Sequence, residues 1–217
     1  MLKGINIPYK RMFPDSPIRT RSCCLKGFGL DHYKALAKMD GFRCITEIDE
    51  NGNVSFISKS GNPLPVSNHV QLAVKKLIDD KKIPIKSSLD GEWMKRRPDY
   101  DGPECIYIFG PIWLNGEWVG HLPFKDRWEW TLNLGLKVDD LSIARSDQIP
   151  NIPLIIPAYS VDCADLFEKS KNAIRTEGIV IYDLNGIIAG NPVESKDTRA
   201  MLKCKWREGD SGRTCVA

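Results

Sequence analysis

Residues 36–45 read LAKMDGFRCI, an apolar stretch that carries Lys38, Asp40 and Arg43 around a central Gly41. Its flanks, Leu36, Ala37, Phe42 and Ile45, have the makings of a short buried strand. A lysine buried in such a strand is costly unless it is paired, neutral or put to use. The rest of the chain has to say which.

With 217 residues, 42% of them hydrophobic and 27% charged, the chain can bury a sizeable core as one or two domains of a soluble globular protein. No apolar run approaches the ~18 residues of a membrane span. The opening MLKGINIPYKRMFPDSP is broken by charges and prolines, unlike a secretory leader. Seven cysteines form neither a CxxC pair nor a Cys/His quartet at zinc spacing. They read as free thiols of a reducing, cytoplasmic compartment. Net charge is only +3, yet residues 1–43 hold nine Lys/Arg against three acids. A basic end of that kind suits a phosphate-rich partner, though on charge alone it reads first as a solvated surface.

Strands dominate the pattern. RCITEI (43–48) and VSFIS (54–58) flank DENGN, whose Asn-Gly step predicts a hairpin. SNHVQLAVKKLIDDKK (67–82) places Val70, Ala73, Val74, Leu77 and Ile78 on one face and predicts a helix capped by Ser67. CIYIFGPIW (105–113) reads as a buried strand and the following LNGEW (114–118) as a turn. A helix is expected over 160–175, then strands at GIVIY (178–182) and MLKCKW (201–206).

Three other patterns fail. GDSG (209–212) lacks the rest of a serine-protease signature. The calcium-like start at Asp49 has Val54 where a glycine is required and Ser60 where a bidentate glutamate belongs. His32, His69 and His121 are dispersed.

Lys-x-Asp-Gly at Lys38 means little by itself. It is followed, however, by an ordered series: Arg43, SKSG (58–61), LDGEW (89–93), YIFGPIWLNG (107–116), EGIVI (177–181) and LKCKWR (202–207). Strand alternation puts Asp90 with Glu92, and Lys203 with Lys205, on common faces. This series, spanning about residue 30 to residue 207, resembles the covalent nucleotidyltransferases, and within them the adenylation domain of ATP-dependent DNA ligases.

The resemblance implies an α+β nucleotidyltransferase (ATP-grasp-like) fold of antiparallel sheets flanked by helices. It implies a soluble monomer, in the cytoplasm or in a nucleoid or host cytoplasm if the source is viral, that seals nicked double-stranded DNA. Lys38 would attack the α-phosphate of ATP and carry AMP on its side-chain nitrogen. Asp40, Arg43 and Glu92 would fix the ribose and the loop around the lysine, and Phe109 would stack on adenine. Lys59, Lys203 and Lys205 would hold phosphates, while Glu177, with Glu92, would hold Mg²⁺. A nucleophilic lysine must be unprotonated, which desolvation or neighbouring cations can achieve. Taken outside the series, Phe109 reads as core, Lys203 and Lys205 as an exposed strand face, Glu177 as a turn residue and Asp90 as a structural partner.

Three positions depart from that family's pattern. Tyr182 stands where a Lys or Arg is usual, Lys59 where Arg is commoner, and Gly110 where an acid follows the aromatic. Lysine cannot grip a phosphate bidentately. Residues 1–207 are expected to form the adenylation domain with its basic N-terminal segment, and 208–217 to begin a C-terminal OB-fold domain. An mRNA-capping guanylyltransferase, an RNA ligase and an inactive nucleic-acid-binding relative are the rival readings.

Overall fold

Residues 36–45 form two strands in different sheets rather than one, and the chain crosses between sheets at Asp40 and Gly41. The computed structural model describes residues 16–19, 25, 31–95, 104–141, 152–173, 175–187 and 197–205. Its strands are β1 (Ser16–Arg19), β2 (Tyr33–Met39), β3 (Phe42–Ile48), β4 (Val54–Ser58), β5 (Ser87–Met94), β6 (Cys105–Leu114), β7 (Glu117–Trp118), β8 (Lys137–Val138), β9 (Leu154–Ile156), β10 (Tyr159–Ser160), β11 (Thr176–Asp183) and β12 (Asp197–Lys205). The helices are α1 (Asn68–Asp79), α2 (Phe124–Leu132) and α3 (Cys163–Ser170).

One sheet runs β1-β12-β11-β2-β10 and the other β4-β3-β5-β6-β9-β8, with β7 paired to β6. Most pairs are antiparallel, as expected for the α+β class. The β1–β12, β6–β9 and β8–β9 pairs are parallel. Backbone groups fix the crossing from β2 to β3. The Asp40 N–H donates to the Arg175 carbonyl at 2.8 Å, and the Gly41 N–H to Glu92 Oε1 at 3.1 Å. A Cβ at Gly41 would stand 2.6 Å from the Trp93 carbonyl oxygen, so only glycine fits this close approach.

Three apolar clusters hold the layers together. Between the sheets lie Ala35, Ala37, Met39, Tyr107, Ile155, Ile179 and Ile181, covered by Leu166 and Phe167 of α3. The second sheet buries Ile48, Phe56, Leu89, Ile106 and Ile108 against Val70, Val74 and Leu77 of α1. A third cluster joins Phe124 and Trp128 of α2 to Leu36, Tyr182 and Met201 of the first sheet.

The β3–β4 hairpin has its turn as expected: Asp49 Oδ1 accepts from the N–H groups of Asn51 and Asn53 at 2.8 Å, and Gly52 takes φ 77°. The second turn, Asn115-Gly116, has positive φ at both residues (51° and 77°) and links β6 to β7. Helix α1 lies within the expected 67–82 span. The helix expected over 160–175 is shorter, α3 alone. Tyr159 and Ser160 instead extend the sheet beside β2, and the Asp162 side chain caps the helix by accepting from the Asp165 N–H at 2.9 Å. Trp206, the stretch 208–217 and most of the basic segment 1–30 lie outside the described residues.

Candidate active site

The crossing delivers Lys38 to the mouth of a cavity of about 210 Å³ between the two sheets. Its lining takes Lys38 and Leu36 from β2, Arg43 from β3, Asp90 and Glu92 from β5, and Phe109 with Gly110 from β6. The other sheet contributes Val180, Tyr182, Met201 and Lys203, α2 contributes Phe124 and Arg127, and the exposed turn after β4 contributes Lys59.

At one end, Lys38 Nζ donates to Glu177 Oε1, and Lys205 Nζ donates to Glu177 Oε2 at 2.7 Å. Strand register explains the convergence, because Gly178 is opposite Lys38 on one side of β11 and opposite Lys205 on the other. A Cβ at Gly178 would stand 1.9 Å from the Cys204 carbonyl oxygen, so the close approach of β12 requires glycine beside Glu177. Burial pushes the Glu177 carboxyl up, but the ammonium groups of Lys38 and Lys205 outweigh it and leave the group below its ordinary range.

In the second sheet, Arg43 holds Asp90 through two hydrogen bonds, from Nε to Oδ1 and from Nη2 to Oδ2, the latter at 2.7 Å. Asp90 is thus held by Arg43 while it borders the cavity. Burial pushes Glu92 up to about 7, against the pull of Lys38 and Arg43, while Asp90 pushes it further in the same direction. Glu92 thus has one foot in the loop, through Gly41, and faces the same cavity as Lys38.

Phe109 owes its aim to an irregularity. Asp90 pairs with Gly110 and Gly91 with Ile108, which leaves Phe109 as an extra residue on β6, a bulge that re-directs a side chain. The ring is partly buried and borders the cavity. Tyr182, at the position where the resembling pattern has a cation, is buried and stacks on Phe124 at 4.1 Å and 11°. It builds the far wall of the cavity.

Of the residues singled out in the sequence, Lys38, Arg43, Lys59, Glu92, Phe109 and Lys203 line this cavity, and Glu177 and Lys205 sit at its Lys38 end through their shared ion pairs. Asp40 lies in the turn beneath and is not part of the lining. Sequence reasoning missed Arg127. Its helix carries Phe124, Arg127, Trp128 and Thr131 at i, i+3, i+4 and i+7, all buried, but two of the four are polar and mask the apolar period. Among the described residues no group of three or more His, Cys, Asp or Glu could hold a metal ion. A cation here would rest on one or two carboxylates and a ligand's phosphates, which is the habit of Mg²⁺.

The fold is that of the nucleotidyltransferase domain of ATP-dependent nucleic-acid ligases. The chain is similar to the mycobacterial DNA ligase D complexed with ATP and MES (TM-score 0.65, 17% identity, covering 92% of this chain and 62% of that one). It is similar to the ATP-dependent DNA ligase of bacteriophage T7 in complex with ATP (0.60, 17%, 93% and 70%) and to an archaeal ATP-dependent RNA ligase (0.54, 16%, 89% and 48%). The chain thus spans about three fifths of the length of the mycobacterial enzyme. No protein-family model and no curated protein sequence matches it.

Proposed function

We propose that this chain is the adenylation domain of an ATP-dependent DNA ligase, which seals nicks in duplex DNA through a lysyl-AMP intermediate on Lys38. The observation that carries the reading is the meeting of Lys38, Glu177 and Lys205 at one end of a cavity also lined by Lys203 and the bulged Phe109. The Lys38 ammonium gives a proton to water, the free amine forms a bond to the α-phosphorus of ATP, and the bond to the bridging oxygen breaks so that pyrophosphate leaves. AMP then passes from Lys38 to the 5′-phosphate of the nick, and the 3′-hydroxyl displaces AMP as the strand is closed.

Little covalent chemistry beyond Lys38 is asked of the protein; alignment and charge neutralisation do the rest. Lys203 and Lys205 would face the non-bridging oxygens, Arg43 and Glu92 the ribose, and Phe109 the flat face of adenine. Lys59, exposed at the rim, would meet the trailing phosphates or the nick, and Asp40 would hold the turn that presents Lys38. A magnesium ion fits the donor set, since Glu177 is held ionised beside the cavity and Glu92 faces the same space. When bound, the ion would neutralise phosphate charge.

A basic N-terminal segment supports duplex DNA as the partner. The test is the intact mass of the purified protein after incubation with Mg²⁺ and ATP, GTP or NAD. One AMP added from ATP alone, followed by sealing of nicked DNA in preference to nicked RNA, is the expected result. Labelling by GTP would assign a capping activity, sealing of RNA alone an RNA ligase, and no adduct an inactive relative.

A further inference from the structure

We propose that Arg127 is a specificity residue whose Nη2 donates a hydrogen bond to a ring nitrogen of the purine stacked on Phe109, an inference that rests on the nucleotide reading above. Arg127 is 3% exposed. Its Nε reaches the Leu122 carbonyl and its Nη1 the Pro111 carbonyl, each at a long 3.4 Å, and its Cζ lies 5.8 Å from the centre of the Phe124 ring. Nη2 has no hydrogen-bond partner among the described residues. Burial draws the guanidinium down to about 10, with Tyr182 and Asp90 opposing, so it stays charged at neutral pH. A buried, charged donor left unsatisfied is a standing penalty that an incoming acceptor removes.

The backbone of β6 makes room for this. A Cβ at Gly110 would stand 3.4 Å from Thr131 Oγ1 and 3.7 Å from Arg127 Nη1, so an acidic side chain there would be placed to neutralise the guanidinium. This chain has glycine instead, and Arg127 borders the same cavity as Phe109 and Lys38.

Position along the cavity selects the base over the phosphates. Lys38 is opposite Gly178 on β11, whereas Phe124, on which Arg127 packs, stacks on Tyr182 further along that strand. Four residues of extended chain cover roughly 13 Å. With the α-phosphate at the Lys38 amine, the base reaches toward the Arg127 end. A guanidinium only donates, so it cannot face the adenine amino group and must meet a ring nitrogen.

The experiment is single-turnover lysyl-AMP formation with ATP and with its 1-deaza, 3-deaza and 7-deaza analogues, in the unaltered chain and in Arg127→Met. The unaltered chain should lose about tenfold or more with one analogue, and Arg127→Met should use all three as it uses ATP. Arg127→Met should lower its unfolding midpoint by no more than a few degrees, because the buried charge it removes has two long hydrogen bonds and only a coulombic link to Asp90. Equal use of all analogues by the unaltered chain, or unchanged discrimination in Arg127→Met, overturns the assignment while leaving nucleotidyl transfer in place. Absence of any adduct with ATP overturns both. If Arg127→Met does not fold, Arg127→Gln carries the same comparison.

Discussion

Lys38 donates its amine to Glu177, a carboxylate 139 positions away in sequence, which also accepts from Lys205. In the nucleotide-free chain this one carboxylate sits between two ammonium groups, where a phosphate would find the same two cations. Removing Lys38 leaves Glu177 paired with Lys205. Lys38→Ala should therefore abolish the covalent adduct, read by intact mass, and move the unfolding midpoint by only a few degrees, since a part-exposed ion pair contributes about 1 kcal/mol or less. An adduct at full yield in this variant would place the nucleophile elsewhere.

Phe109 stands outside the β5–β6 ladder, so its ring can change without disturbing strand pairing. Phe109→Ala should raise the ATP concentration needed for adduct formation by about tenfold, the scale of a lost aromatic stack, while Phe109→Tyr and Phe109→Trp retain most activity. A ring that served only the core would behave differently. Trp would then overpack and lower stability, with ATP use unchanged in all three variants.

Much of this arrangement was legible in the sequence. The Asn-Gly hairpin, the face of α1 and the buried run of β6 are local patterns, and local patterns survive into the fold. Lys38, Glu92, Phe109 and Lys203, all drawn from the ordered motif series, border the cavity. What escaped was non-local. Residues 36–45 look like one strand because apolar residues flank both sides of Asp40-Gly41. The carbonyl of Arg175 and the carboxylate of Glu92, both distant in sequence, hold the chain where it changes sheets. Helix α2 was hidden because Arg127 and Thr131 occupy its buried face, which breaks the apolar period. The bulge at Phe109 depends on how β6 pairs with β5 and leaves no mark on either strand alone.

The Arg43–Asp90 pair should show the asymmetry of buried ion pairs. Burial raises the Asp90 carboxyl even though Arg43, and behind it Arg127 and the Gly91 N–H, pull the other way. Arg43→Met should destabilise the chain by about 1–3 kcal/mol in urea unfolding, because Arg43 is part-exposed and Arg127 still acts on Asp90, whereas Arg43→Met with Asp90→Leu should recover most of the loss. Equal stability of Arg43→Met and the unaltered chain would mean that Arg127 or solvent, not Arg43, balances Asp90.

Glu92 gives a pH dependence of defined sign. Burial is the chief cause of its rise from 4.5 to about 7, with Asp90 adding to it and Lys38, Arg43 and the Gly41 N–H opposing. A carboxyl whose folded value is raised binds more protons in the folded chain than in the unfolded one between those two values. Stability therefore falls as pH climbs from about 4.5 to about 7 and levels off above. Glu92→Gln keeps an oxygen to accept from the Gly41 N–H but has no charge to desolvate. In the nucleotide-free protein it should exceed the unaltered chain by about 1–3 kcal/mol at pH 8, and the two should converge toward pH 4.5. Urea titrations at both pH values measure the difference directly. A stability gap that stays constant across that range would show that Glu92 remains ionised throughout, held by Lys38 and Arg43 despite its burial.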